Sequence, residues 1–371
     1  MDDDVTTDVA RLFSPQRLRL AREACGLTQT ELSRRLGKSP SPAAVSQFEN
    51  GDAKPSAVTV GRLAQALSFP VEFFATTASP SSRSDGEFDR QDGYGHFRSL
   101  RSVTAKQRRG ALAVTQLVRD LAAALSRYVR LPDPDVPRLS PDTDGLAIGE
   151  EYATIVRQAW SVPPGPISDV IQLAERHGII TARCQIATQA VSAYSVPFPE
   201  YPVMMLHKQG IKRDRDRFSV AHEIGHLVMH KSDDVPAPKE VEAQANRFAS
   251  AFLMPAGQIR DELPSKTDWV HLLTLKQRWQ VSLGALLRRA NDIGVMSNQT
   301  YAQAMRTIST RGWRIDEPGD LGTPESPRML AFAIETARVD TASLASETGW
   351  PQGLIDEVVA ASVDSRPTLY I

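Results

Sequence analysis

The segment His222-Glu223-Ile224-Gly225-His226 carries the clearest chemical pattern in this chain. Two histidines four positions apart on an α-helix lie on the same face, so both imidazoles can reach one metal ion. The glutamate after the first histidine can then accept a proton from a water that the metal activates. An isolated match of this kind also occurs by chance on surface helices, so the prediction of a metal-dependent hydrolytic site needs a third ligand.

The third ligand must come from elsewhere, because a catalytic zinc usually keeps three protein ligands and one open position. His230 is four residues further on, but on a straight helix it lies about 12 Å from His222 along the axis. It is therefore predicted to end the helix or to support a ligand. A second predicted helix over 239–249 carries Glu242 and, one turn later, Asn246. This pair offers a ligand carboxylate and an amide that can orient a histidine ring.

The stretch from Arg217 to His230, followed by 242–249 and 252–255, resembles the ImmA/IrrE metallopeptidase family. Members carry HE(I/L)GH and then an E-x-x-A-N-x-F-A helix that ends in a Leu-Met-Pro-like corner. The resemblance covers roughly residues 145–315 and implies a zincin-like domain that binds one Zn²⁺ per chain. It implies these site residues: the ligands His222, His226 and Glu242, and the general base Glu223. Glu240 is the alternative third ligand, and Mn²⁺ or Fe²⁺ stays open because cellular supply also decides metal identity.

Amide hydrolysis also needs a donor to the oxyanion, and the sequence leaves this donor open. Arg217 has two interpretations, as a structural residue or as one that faces the substrate. Four residues carry a suitable donor, although each is also explained as an ordinary packed or surface side chain: His230, His271, Tyr194 and Tyr301.

The N-terminal region 11–75 is predicted to form five short helices. Ser14-Pro15 is a cap followed by a first-turn proline, and Thr28 to Glu31 is a capping box. Ser41-Pro42 begins the third helix. The run resembles the Xre-type (lambda-repressor-like) helix-turn-helix domain, in which the helix after the short turn reads the major groove of double-stranded DNA.

That resemblance implies a DNA-binding surface. Gln29 would anchor a phosphate, and Asn50 and Lys54 would contact the DNA backbone. The positions expected at the bases or beside them are Ser41, Pro42, Ala43, Ser46 and Gln47. The turn 38–42 is about two residues longer than usual, and Pro42 and Ala43 can only touch a thymine methyl, which predicts narrower sequence recognition.

Local charge favours DNA binding over the alternative of a dimerisation or protein-binding bundle. The whole chain has a formal net charge of −1, but residues 11–70 carry nine basic and four acidic side chains, and 98–130 carry eight and one. Local positive charge is what neutralises phosphates. The two cysteines, Cys25 and Cys184, have no metal or redox spacing, and the N-terminus lacks the apolar core of a signal peptide. These features, with no long apolar run, predict a cytoplasmic protein with no membrane segment.

The breaks in composition divide the chain into five parts: a helix-turn-helix domain (11–75), a linker (76–95), a long connecting helix (96–131), a metallopeptidase domain with a small sheet (145–315) and a helical cap (326–371). The predicted class is mainly α (α+β). One hypothesis is a homodimeric regulator that also cleaves a repressor-like or antitoxin-like protein, with a role in stress response. The other is a transcription factor whose metallopeptidase-like domain is a non-proteolytic sensor or dimerisation module.

Overall fold

The structure, a computed structural model, describes residues 2–75, 104–137, 147–184, 192–208, 212–230 and 238–360. Within these ranges the chain forms seventeen α-helices and one three-stranded sheet, which confirms the predicted mainly α (α+β) class. The predicted linker 76–95, the first residues of the predicted connecting helix 96–131 and the end of the predicted cap 326–371 lie outside the described residues.

The N-terminal bundle follows the predicted capping residues. Its helices are α1 (Asp2–Arg11), α2 (Pro15–Ala24), α3 (Gln29–Arg35), α4 (Pro42–Asn50) and α5 (Ala57–Leu67), followed by a 3-10 helix (Val71–Phe74). Ser14, Thr28 and Ser41 each accept a hydrogen bond from the backbone N–H three residues on, and Glu31 completes the capping box. Helix α1 has no counterpart in the sequence prediction; it packs against α5 and the 3-10 helix.

The small sheet lies between two groups of helices. Preceding it are α6 (Ala105–Leu125), α7 (Ala147–Ala159) and α8 (Val170–Arg176); its strands are β1 (Ile180–Cys184), β2 (Ala193–Val196) and β3 (Val203–His207). Strand β3 is central, parallel to β1 and antiparallel to β2. Strands β1 and β3 overlap the short apolar runs 179–182 and 203–206, which are typical of buried strands, whereas β2 was not predicted. The predicted connecting helix contains α6.

The remaining helices complete the metallopeptidase-like region and the cap. They are α9 (Arg213–Met229), α10 (Pro238–Leu253), α11 (Ala256–Ile259), α12 (Trp269–Trp279), α13 (Leu283–Asp292), α14 (Asn298–Thr310), α15 (Met329–Ala337), α16 (Thr341–Thr348) and α17 (Gln352–Ala360). Helices α9 and α10 pack against each other, and α9 also contacts β2. In the part of the chain that the structure describes, no helix has both the length and the apolar character needed to cross a membrane.

The two faces of the sheet belong to two different hydrophobic cores. Side chains alternate along a strand, so Val203 and Met205 point to one face and Met204 and Leu206 to the other. The first face shares a core with the N-terminal bundle, α6 and the C-terminal helices. The second shares a core with α9 and α10. The N-terminal bundle packs against α6 through α2, and α6 packs on the sheet, so the bundle lies on the side of the sheet opposite the helix that carries the two motif histidines.

Helices α7 and α9 both pack closely against Phe248 on α10. A Cβ at Gly225 would lie 2.9 Å from Cδ1 of Phe248, and a Cβ at Gly149 would lie 2.7 Å from its backbone nitrogen. The glycine inside the HExxH motif is thus explained by close helix packing. This packing sets the position of α10 relative to α9, and with it the position of Glu242 relative to His222.

We expect Gly149→Ala to lower the free energy of unfolding by about 1–3 kcal/mol, because the new methyl group meets backbone atoms that cannot rotate away. The measurement is the urea midpoint of the α-helical signal. Gly353→Ala on α17 is the control, since its Cβ would meet nothing within 4 Å, and it is expected to gain up to about 1 kcal/mol. An unchanged midpoint for Gly149→Ala would mean that α7 and α10 separate without cost.

Candidate metal centre and DNA-binding surface

Helices α9 and α10 bring His222, His226 and Glu242 together. The two histidines are one turn apart on α9, and their Nε2 atoms lie 2.9 Å from each other. The Glu242 carboxylate approaches from α10, with Oε2 at 3.4 Å from Nε2 of His222 and Oε1 at 3.6 Å from Nε2 of His226. One ligand atom from each residue lies within 4.8 Å of the others. The predicted ligand set therefore converges on one point.

The other nitrogen of each ring is held by a polar partner. Nδ1 of His222 lies 3.1 Å from Oδ1 of Asn246, the residue predicted to orient it. Nδ1 of His226 lies 2.9 Å from Nδ1 of His230, at the C-terminal end of α9. Because an amide oxygen only accepts, His222 carries its hydrogen on Nδ1. Its Nε2 then faces the cluster and Nε2 of His226, the position from which a metal ion would be bound.

Glu223 is buried beside this cluster, with 2% of its surface exposed. The Ser195 hydroxyl on β2 donates to its Oε2 at 2.8 Å. Burial raises the pKa of Glu223, although His222 and the bonds from Ser195 oppose that effect. A carboxylate with a raised pKa suits proton transfer near neutral pH. Ser195 was not found from the sequence, because a serine in a short apolar strand carries no spacing that relates it to α9.

The donor set and its electrostatics fit a divalent cation. Two imidazole nitrogens and one carboxylate are the ligand types of a catalytic zinc site. Burial by itself lowers the pKa of His222, yet Glu242 and Glu223 outweigh it and raise that pKa above its ordinary value. The surroundings thus favour positive charge at this point. The Glu242 side chain is 38% exposed, which leaves the cluster accessible from solvent.

The other residues considered from the sequence have structural partners. Glu240, the alternative ligand, is outside the cluster and accepts a hydrogen bond from Gln244. Arg217 is buried in an ion pair with Glu325 and is a structural residue. The four oxyanion candidates also have partners within the protein. Both ring nitrogens of His230 are hydrogen-bonded, and His271 binds the carbonyl of Glu262. Tyr194 donates to the carbonyl of Ala111, and the ring of Tyr301 lies beneath the Arg288 guanidinium. Tyr194 points at α6, away from α9, so it is not the oxyanion donor.

Helix α4 presents the predicted DNA-reading positions on its exposed side. The exposed residues are Ser41, Pro42, Ala43, Gln47 and Asn50, whereas Ser46 is half-buried. The Ser41 hydroxyl caps α4 by accepting from the backbone N–H of Ala44. Lys54 donates to the carbonyl of Arg11, and Asn50 accepts from Arg19, a residue that the sequence prediction did not include. These positions therefore lie at the surface of the bundle, and their roles in DNA recognition stay predictions.

Glu49 connects α4 to helices α2 and α3. Its carboxylate, buried in the bundle, binds Nε and Nη2 of Arg22 on α2 at 2.5 and 2.8 Å. It also accepts from Nε2 of Gln29, at 2.9 Å. The side chain that was predicted to anchor a phosphate therefore has a partner inside the protein.

We expect Glu49→Gln to destabilise the N-terminal bundle by about 1–3 kcal/mol, because buried Arg22 loses its closer carboxylate and keeps only the longer contact with Glu23 at 3.4 Å. Thermal unfolding followed by circular dichroism measures the effect. Asp52→Asn, an exposed acid on the turn after α4, is the matched control and is expected to change stability by less than about 0.5 kcal/mol. Equal melting curves for the two variants would contradict a structural role for the ion pair.

Comparison with known families agrees with this geometry. A helix-turn-helix family matches residues 18–74, which span α2 to the 3-10 helix. The IrrE N-terminal-like domain, a peptidase family, matches residues 174–291, which span the sheet, the candidate metal centre and α13. No curated protein matches the chain. The chain therefore joins, in one polypeptide, an Xre-like helix-turn-helix domain, which supports a DNA-binding regulator, to an ImmA/IrrE-like peptidase-family domain.

Proposed function

We propose that the second domain is a zinc-dependent endopeptidase that cleaves a protein partner of the repressor or antitoxin type. The observation that carries this proposal is the convergence of His222, His226 and Glu242 beside the buried carboxylate of Glu223. A purely structural metal site has no need of that carboxylate. Its presence beside an exposed ligand favours catalysis over a closed site.

The residues have distinct tasks in this proposal. His222, His226 and Glu242 hold the ion, which when bound supplies Lewis-acid polarisation of the scissile carbonyl and a more acidic water. Glu223 accepts a proton and passes it to the leaving amine. Ser195 binds the Glu223 carboxylate from β2 and restricts its rotation. Burial keeps bulk water away from the carboxylate and so preserves its basicity.

Strand β2 supports an extended peptide as the substrate. It lies at one side of the sheet, contacts α9 and, among the described strands, pairs with β3 alone. An edge strand can bind an extended peptide by adding it to the sheet through backbone hydrogen bonds. Such binding places the peptide alongside Glu223, because Ser195 of β2 contacts this residue. A flexible segment within a protein fits this geometry, which favours an endopeptidase.

The DNA-binding domain supplies the regulatory setting. Helix-turn-helix domains commonly bind palindromic operators as dimers, so we include a homodimer on double-stranded DNA in the proposal. Cleavage of a second regulator would then change transcription at the same operator, in a stress response or a related switch. The exposed face of α4 is the surface assigned to the operator.

The test is a comparison of protein N-termini in cells that express the parent chain or Glu223→Gln. We expect new N-termini from a small number of DNA-associated or antitoxin-like proteins in the parent sample alone. Purified substrate and zinc-loaded enzyme must then reproduce the same cleavage site. Identical sets of N-termini in the two samples would contradict the peptidase proposal.

One observation favours the alternative function, a transcription factor with a non-proteolytic metal-binding sensor. The N-terminal bundle and one face of the sheet share a hydrophobic core through α6. A shift in the position of the sheet can therefore be transmitted through α6 to the helices of the bundle. A sensor predicts that zinc alone alters the affinity for operator DNA, and that Glu223→Gln responds to zinc as the parent does. The peptidase proposal predicts that substrate cleavage, rather than zinc occupancy, changes transcription.

A further inference from the structure

We propose that Gln244 and Glu240 are positioning residues for the metal centre. With His230 they form a hydrogen-bond chain that keeps the hydrogen of His226 on Nδ1 and leaves the Nε2 lone pair directed at the ligand cluster. The chain of bonds is a property of the metal-free protein. Only its effect on metal affinity rests on the proposed function.

The hydrogen-bond chain consists of three contacts. Nδ1 of His226 lies 2.9 Å from Nδ1 of His230. Nε2 of His230 lies 3.1 Å from Oε1 of Gln244. Nε2 of Gln244 donates to Oε1 of Glu240 at 3.4 Å. The chain thus begins on α9 and ends at an exposed carboxylate on α10.

Glu240 determines the direction of every bond in the chain. A carboxylate only accepts, so the Gln244 amide must present its NH₂ group to Glu240 and its oxygen to His230. His230 therefore carries its hydrogen on Nε2, and its Nδ1 is an acceptor. His226 must then donate from Nδ1. This is the tautomer in which Nε2 of His226 has a lone pair for a metal ion.

Because it is buried, the hydrogen-bond chain should affect the tautomer of His226 more strongly than the single bond from Asn246 affects that of His222. Exposure is 1% for His226, 5% for His230 and 3% for Gln244. Bulk water therefore cannot replace a lost partner along this chain. Asn246, which orients His222, is exposed, so water can take its place. The opposite direction of the His226–His230 bond would put a hydrogen on Nε2 of His226, where the ligand lone pair is needed.

The test uses ¹⁵N-histidine NMR on the metal-free full-length protein, in which long-range couplings identify the tautomer of each ring. The polypeptide has seven histidines, so the His226→Asn and His230→Asn variants are used to assign the two signals. We expect the parent to show Nδ1–H on His226 and Nε2–H on His230. Gln244→Met, which removes the acceptor, is expected to convert both rings to tautomer mixtures. Gln244→Glu, which keeps an acceptor oxygen, is expected to retain the parent pattern.

Zinc alone is the second probe, with affinity measured by competition with a chelator. We expect Gln244→Met to bind zinc about 10–100-fold more weakly than the parent, and Gln244→Glu to stay within a few-fold. Gln303→Met, an exposed glutamine on α14, is the control and should match the parent in both measurements.

The outcomes separate this inference from the proposed function. Parent tautomers in Gln244→Met would overturn the positioning role, whatever the zinc affinity. The expected tautomer changes in a parent that binds no zinc would support the hydrogen-bond chain and overturn the zinc peptidase. A weaker zinc affinity in Gln244→Met without any tautomer change would assign the loss to general packing and would also overturn the inference.

Discussion

Purified His222→Ala is expected to contain no zinc where the parent contains about one ion per chain, because two remaining ligands do not make a catalytic zinc site. The Nε2 atom of His222 is one of the two nitrogens that meet 2.9 Å apart at the cluster, and no neighbouring side chain on α9 can replace it. Glu242→Ala is expected to give the same loss. Elemental analysis after zinc supplementation measures both.

Two controls make this result specific to the cluster. His271→Ala removes an exposed histidine that binds the carbonyl of Glu262, and it should keep the parent zinc content. Glu240→Ala should also keep zinc at saturating concentration, because its carboxylate is outside the ligand set. Zinc retained in both His222→Ala and Glu242→Ala would place the metal elsewhere and reject the site described above.

Glu223→Gln is expected to keep zinc at the parent level and to lower the rate of substrate cleavage by about 10²–10⁴-fold, the usual effect of losing a general base. The amide has nearly the same shape as the carboxylate and can still accept from Ser195, so the fold should be unaffected. The measurement is kcat/KM on the protein substrate identified by its new N-terminus. Metal content and circular dichroism are recorded on the same sample.

The same variant separates proteolysis from DNA binding. If the peptidase controls transcription, a reporter driven by the operator should lose its response in Glu223→Gln, while binding of purified protein to the operator stays at the parent level. Gln47→Ala, on the exposed face of α4, should show the reverse, with weaker operator binding and unchanged cleavage. A normal reporter response in Glu223→Gln would mean that regulation does not depend on proteolysis.

Short sequence patterns were sufficient to predict many of the helices and which side chains share a helix face. Helix caps act within one turn, so Ser14, Thr28 and Ser41 could be located from short sequence windows. The i, i+4 spacing of His222 and His226 places both on one face of any helix. The same argument placed Glu242 and Asn246 together on the next helix. These relations need only helical geometry, which is why they were predicted correctly.

Contacts between distant segments could not be predicted in this way. Strand β2 is four residues long, too short for a periodic signal, so neither the strand nor the bond from Ser195 to Glu223 was foreseen. The ion pair between Arg22 and Glu49 joins residues on two different helices, and either charge alone resembles an ordinary surface residue. Tyr194 was considered for the oxyanion because the sequence does not show that its side chain points toward α6.

The sequence by itself was enough to predict two functional motifs, a helix-turn-helix and an HExxH helix followed by a ligand carboxylate. Both motifs are defined by helix caps and by residue spacings over short stretches of the chain. Only the tertiary structure decided how those parts meet. Packing around Phe248 positions Glu242 against the histidines, and the contact between α9 and α10 joins His230, Gln244 and Glu240 into a hydrogen-bond chain behind His226. The sheet, with a core on each face, joins the DNA-binding bundle to the candidate active site. Such relations arise from long-range packing, in which the partner of a residue is set by the fold and not by its neighbours in the chain.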